Sequence, residues 1–224
     1  MDNSLKTEEK NILKAYNMLL YFSGTMIMWD PSTECIQDFW KQEILKKLPV
    51  TSGNPRFMFA ASALRESVDD PGSSYEMMMA DFGSMFAEGG SLTAPPVESR
   101  IREATSVGKD RATQFYSSYG WESKFKNHFP DDHLGVELLF LTLMIQKYFE
   151  MDDEVCNIEM RNEIKRFISL HLLSWLPEWN RKVQAQAITK SYKGIASLIL
   201  ACTEDIFSIM DESLMRRQNF INLN

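Results

Sequence analysis

The sequence predicts an all-α protein, one globular helical domain of about nine or ten helices spanning residues 1–224. Three observations predict it. Apolar residues recur three and four positions apart along most of the chain, the spacing that lines up one face of a helix. Alternating apolar and polar runs, and the dipeptides that close hairpins, are scarce. The stretches "TSGNPRF", "DDPGSS" and "EGGSLTAPP" break the periodic segments with turn-forming residues.

The elements follow in order. Leu5, Ile12, Tyr16 and Leu19 share one stripe, with Leu13 and Leu20 beside it. Ile36, Trp40, Ile44 and Leu48 mark a second helix that ends at Pro49. Asn54 caps the next, Pro55 sits in its first turn, and it runs to about Val68. Another spans about Ser74 to Ala87. The glycine-rich loop after it, residues 87–95, is a candidate hinge, so either a monomer or a domain-swapped dimer is expected. "VESRIREA" reads as one short helix and "KDRATQFYSSYG" as another, with Gly120 as its stop. Leu134 to Phe149 is apolar nearly all round and should be central and buried, with Leu138, Phe140, Leu141 and Ile145 in the core. Met160, Ile164, Phe167, Ile168, His171 and Trp175 share one face of the following helix. Leu176-Pro177 interrupts it and Glu178 restarts a short helix. Ile188, Tyr192, Ile195, Ile199, Cys202, Ile206 and Ile209 mark the last one.

Composition narrows the function. A net charge of -7 argues against nucleic acid as the partner and favours a cationic one. Cys35, Cys156 and Cys202 form no CxxC pair, as expected of reduced thiols. The polar, acidic start "MDNSLKTEEKN" does not read as a secretory signal, and no apolar run reaches the ~18 residues of a membrane span. The expected location is the cytoplasm, without stable membrane insertion.

Two stretches carry the candidate chemistry. In "FPDDHLGVELLF", Asp132, His133 and Glu137 can be a catalytic set, a metal site or the cap of a buried helix. His133 and Glu137 are four apart and share a helical face. HExxH, paired cysteines, GxSxG and phosphate-cradling glycine loops are all absent from the sequence, so neither a metal, a cofactor nor catalysis is predicted. Pro130 stops any earlier helix, and Asp131 or Asp132 can cap the next. The second stretch is "YEMMMADFGSMF". Its methionines and aromatics suit either core filling or a surface that accepts varied apolar partners.

Taken together, these stretches resemble the TorD/DmsD/NarJ family of cytoplasmic chaperones. "FGSMF", "EGG" and "PVES" follow that family's aromatic, loop and proline elements, with Phe82, Met85, Phe86, Pro96 and Ser99 at matching positions. Val97 stands where the family commonly has an aromatic. Pro130, Asp132 and His133 match its Glu-Pro-x-Asp-His element, with Phe129 in place of the acid, and "HLLSWLPEW" matches a later pattern. The resemblance covers roughly residues 10 to 210. It implies an all-helical fold and no enzymatic activity. It also implies a twin-arginine (Tat) signal peptide as partner, carried by the precursor of a molybdenum-cofactor oxidoreductase. The chaperone would assist cofactor insertion and prevent premature export. Phe82, Met85 and Phe86 would take the apolar part of the peptide, and Asp132 beside His133 a guanidinium. An assembly scaffold that binds a folded subunit without reading a signal peptide is the alternative. A helical metal-binding enzyme using Asp132, His133 and Glu137 is another. Weak guanine-nucleotide binding, also implied by the family, has no motif here and is not predicted. The ending "SLMRRQNFINLN" loosely echoes the Arg-Arg-x-Phe-Leu core of such signals, so Arg216-Arg217 either closes the last helix or acts as a weak internal ligand.

Overall fold

The computed structural model describes residues 3–32, 47–69, 75–87, 92–102 and 107–211. Nine α-helices lie within them: α1 (Asn3–Met28), α2 (Pro55–Asp69), α3 (Tyr75–Met85), α4 (Glu98–Ile101), α5 (Val107–Ser118), α6 (Leu134–Glu150), α7 (Glu154–Phe167), α8 (Leu176–Gln186) and α9 (Lys190–Met210). A π-helical segment, Ile168–Leu172, follows α7 directly. No sheet occurs among the described residues, and an isolated antiparallel bridge joins Val97 and His133. The helix expected from Ile36, Trp40 and Ile44 lies outside the described residues, as do residues 88–91 of the expected hinge.

The helix ends form where the sequence supplies caps. The Asn54 side chain accepts the Arg56 N–H at 3.0 Å and starts α2. Asp153 accepts from Cys156 N–H and Thr189 from Tyr192 N–H, opening α7 and α9. α5 closes in a Schellman pattern: Trp121 N–H donates to the Tyr116 carbonyl oxygen at 3.1 Å and Gly120 N–H to that of Ser117 at 3.0 Å. Gly120 takes φ 62, the left-handed conformation that the pattern requires.

α6 and α9 form the centre. Leu138, Phe140, Leu141 and Ile145 are all 0% exposed, as the apolar run predicts. α1 packs along both α6 and α9, and α2 and α8 pack along α9. Where α1 meets α6 the backbones come close at Gly24 and Gly135. A Cβ on Gly135 would lie 2.3 Å from Met28 Cγ, so a side chain there forces Met28 to move. Buried polar groups tie the bundle together at chosen points. Arg161 donates to Glu9 Oε1 at 2.6 Å and to the Tyr148 hydroxyl at 2.9 Å, joining α1, α6 and α7.

Candidate functional site

The segment before α4 and the segment before α6 are stitched together. Glu98 N–H donates to the Asp132 carbonyl oxygen at 3.0 Å, and Leu134 N–H to that of Pro96 at 2.8 Å. This brings Pro96, Ser99, Asp132 and His133 into one junction. The carboxylate of Asp132 does not cap α6, contrary to the sequence expectation. Its Oδ2 accepts the Ser99 N–H at 3.1 Å, in the first turn of α4. Asp131 does not cap α6 either; its carboxylate accepts from the Thr113 hydroxyl at 2.6 Å. The cap of α6 is His133, whose Nδ1 accepts the Gly135 N–H at 3.1 Å. The physical reason is the bridge between Val97 and His133. It holds Asp132 over α4, and the imidazole is left as the acceptor nearest the start of α6. An imidazole that accepts a hydrogen bond is neutral at that nitrogen. Burial, helped by the Arg100 charge, holds His133 down at about 3.

Phe82, Met85 and Phe86 lie on and just after α3, and all three are buried. The Phe86 ring sits 5.3 Å from Tyr192 and 6.1 Å from Trp179. Trp179 links this apolar set to the junction by donating its indole N–H to the Ala94 carbonyl oxygen at 3.2 Å, two residues before Pro96. Of the seven site residues expected from the sequence, only Ser99 keeps partial exposure. The set is therefore a buried wall in this structure.

Behind the junction the structure assembles a group that sequence reasoning missed. Glu98, Glu137 and His171 each present a ligand-type atom, all within 4.8 Å of one another. All three are buried. Glu98 Oε2, both oxygens of Glu137 and His171 Nδ1 have no hydrogen-bond partner among the described residues. Burial pushes the Glu137 carboxyl well above the ordinary carboxylate range, and the charges of Glu98 and Asp132 push it the same way. A weak opposing pull comes from Trp175. Its indole N–H is committed to the His171 carbonyl oxygen. The metal set considered from sequence, Asp132, His133 and Glu137, is not what the structure groups, because His133 turns its Nδ1 to Gly135. The available signal was modest. Glu137 and His171 are ionisable residues set among apolar neighbours, whereas Glu98 stands in the polar stretch "VESRIRE", and 39 and 34 positions separate the three.

The sequence profile described as "Nitrate reductase delta subunit" matches residues 57–181, more than half of the chain and a stretch that contains every junction residue named above. The chain belongs to that family. Among its relatives, the "Chaperone protein TorD" of Psychrobacter sp. (strain PRwf-1) is 30% identical over 128 residues, 55% of this chain and 57% of that protein. The "Selenate reductase assembly chaperone protein" of Thauera selenatis is 29% identical over 122 residues, 52% of this chain and 62% of that protein. The match thus spans less than two thirds of either relative.

Proposed function

We propose that this protein is a non-enzymatic cytoplasmic chaperone that helps a molybdenum-cofactor or related redox enzyme mature, and that it binds the twin-arginine signal peptide of that enzyme's precursor. The observation that carries the reading is the coincidence of the family match with the junction. Residues 57–181 include Phe82, Met85, Phe86, Pro96, Ser99, Asp132 and His133. The chemistry of the junction supports it. Asp132 keeps Oδ1 without a partner while Oδ2 is anchored on α4, so one carboxylate oxygen is held ready for a guanidinium. His133 stays neutral beside it and adds no repulsion to an incoming arginine. The net charge of -7 draws a basic peptide toward the surface. Among the described residues, no helix is long and apolar enough to cross a membrane, which agrees with this role.

Burial of the apolar wall favours a second reading, an assembly scaffold that grips a folded subunit without opening the wall. Calorimetric titration separates the two. The probe is a synthetic peptide with an Arg-Arg-x-Phe-Leu core followed by an apolar stretch, and its Lys-Lys counterpart is the control. Tight binding of the arginine peptide and weak binding of the control support the signal-peptide reading. Equal or absent binding of both, with capture of a leaderless subunit intact, leaves the scaffold.

A further inference from the structure

We propose that Glu98, Glu137 and His171 form a binding site for one first-row divalent cation of the Mn²⁺, Fe²⁺, Co²⁺ or Zn²⁺ kind. The geometry comes first. His171 Nδ1 lies 3.9 Å from Glu98 Oε2, and one donor atom from each of the three residues lies within 4.8 Å of the others. Ligand bonds of about 2.0–2.2 Å put neighbouring donors roughly 3 Å apart and opposite donors slightly over 4 Å apart. A single ion can therefore bridge the three after small side-chain shifts.

The unpaired atoms are the second observation. They are Glu98 Oε2, both Glu137 oxygens and His171 Nδ1, on side chains with 2%, 0% and 3% of their residue surface exposed. Buried carboxylates and imidazoles are ordinarily hydrogen-bonded. For Glu98 the surroundings partner the other oxygen. Arg102 donates to Glu98 Oε1 at 2.8 Å and turns Oε2 inward, the kind of outer contact that orients a metal ligand.

The third observation is the backbone under His171. It stands in the π-helical segment Ile168–Leu172. A π turn inserted after an α-helix costs regular hydrogen bonding, and such turns recur at functional sites. The insertion rotates His171 relative to the α7 register and aims it at Glu98 and Glu137. Its ring is stacked on Phe167 at 5.2 Å and met edge-on by Phe115 at 5.5 Å, which fixes its plane.

The donor set selects the ion class. One imidazole and two carboxylates suit borderline first-row ions better than the all-oxygen preference of Mg²⁺ or Ca²⁺, or the thiolate preference of Cu⁺. Two carboxylates and a divalent cation sum to zero charge, which a dry site tolerates far better than two negative charges. The ion would thus clamp α4, α6 and the π segment directly behind Asp132. Its binding is measurable without any peptide, so it stands or falls apart from the chaperone reading.

The test uses the full chain, stripped with chelator in denaturant and refolded with Co²⁺ so that burial cannot block entry. One Co²⁺ per chain after gel filtration, visible d–d absorption and a raised Tm are expected. Glu137→Gln and His171→Asn, checked for folding by circular dichroism, should each weaken the ion by at least about tenfold. His128→Asn, which alters an exposed imidazole, should leave it unchanged. Mn²⁺ on the wild type gives a check that needs no variant, because it should broaden the His171 ring resonances and spare those of His128. Failure of the refolded wild type to retain Co²⁺, undiminished binding in both variants, or broadening at His128 alone would each overturn the site.

Discussion

Asp81 and Glu137 are both buried carboxylates on helices of the same bundle, and the protein treats them in opposite ways. Asp81 on α3 accepts from Ile188 N–H at 2.9 Å, from Thr189 N–H at 2.8 Å and from the Thr189 hydroxyl at 2.7 Å. It caps the start of α9 from across the fold, where a negative charge meets the positive end of a helix. Glu137 on α6 has neither oxygen paired and two acidic neighbours. The first joint is saturated and holds the bundle. The second carries a cost that the packing around it must offset. Unsatisfied buried polar groups are rare enough that each calls for a reason. A ligand, an ion or a moving segment is the reason that fits a junction also containing the proposed peptide-site residues.

The largest expected effect belongs to the saturated heart of the bundle. Leu141→Ala empties a site with 0% exposure on α6 and should cost about 2–5 kcal/mol in denaturant melts. It should leave peptide affinity per folded molecule unchanged. A loss under ~1 kcal/mol would mean that the bundle collapses around the gap.

The junction should answer the other way. Asp132→Asn keeps an acceptor for the Ser99 N–H and removes the charge. Binding of the arginine peptide should weaken by about 1.5–3 kcal/mol, with little change in Tm. Calorimetry that finds equal affinity for mutant and wild type would take Asp132 out of the site.

Histidine chemistry sharpens the contrast by pH. The folded value of His133, about 3, lies below its ordinary 6.5. The unfolded chain therefore takes a proton that the folded chain refuses, and stability falls as pH drops from about 6.5 toward 3. Between pH 7 and 5 that linkage amounts to about 2 kcal/mol. Glu137 has the opposite sign. Its raised folded value favours the protonated form, so its contribution is full below the ordinary carboxylate range and is lost as pH rises through the raised value. In chelator, His133→Asn should flatten the acid limb of the stability profile, and Glu137→Gln the limb on the alkaline side. Denaturant midpoints from pH 4 to pH 9 read both. An unchanged acid limb in the His133 variant would assign that loss to other groups.

Much of this was legible in the sequence, and what was not has a common cause. α6 was legible because an apolar run with Asp-His before it admits few other readings. The start of α2 and the stop at Gly120 were legible because Asn-Pro and glycine act through their own backbone. The identity of the α6 cap was not. Which of Asp131, Asp132 and His133 accepts from Gly135 depends on the bridge to Val97, 36 positions away. The π segment was illegible for a similar reason, since Met160 to Trp175 keeps one apolar face whether or not a turn is widened. Glu98, Glu137 and His171 each stood in a stretch that drew notice, but only the fold states that they meet. Burial of Phe82, Met85 and Phe86 was left open by the sequence, because methionine and phenylalanine serve a core and a groove equally well.

The smallest expected effect concerns Arg216-Arg217, which lie outside the described residues. Sequence reasoning offered them a role at the end of the last helix, where cations favour the dipole. Within the described residues α9 ends at Met210 with Asp211 as its C-cap. The other expectation is a weak internal ligand for the Asp132 junction. A flexible tether gives roughly millimolar effective concentration, so a tail with roughly millimolar intrinsic affinity would occupy the junction about half the time. Deleting residues 214–224 should then tighten binding of the arginine peptide about twofold and leave Tm unchanged. Replacing both arginines by glutamine in the full chain should tighten it equally, since the charge is what competes. A truncated protein with unaltered affinity would show that the junction is closed by its own packing alone, as Phe82, Met85 and Phe86 are, and that its opening is left to the peptide.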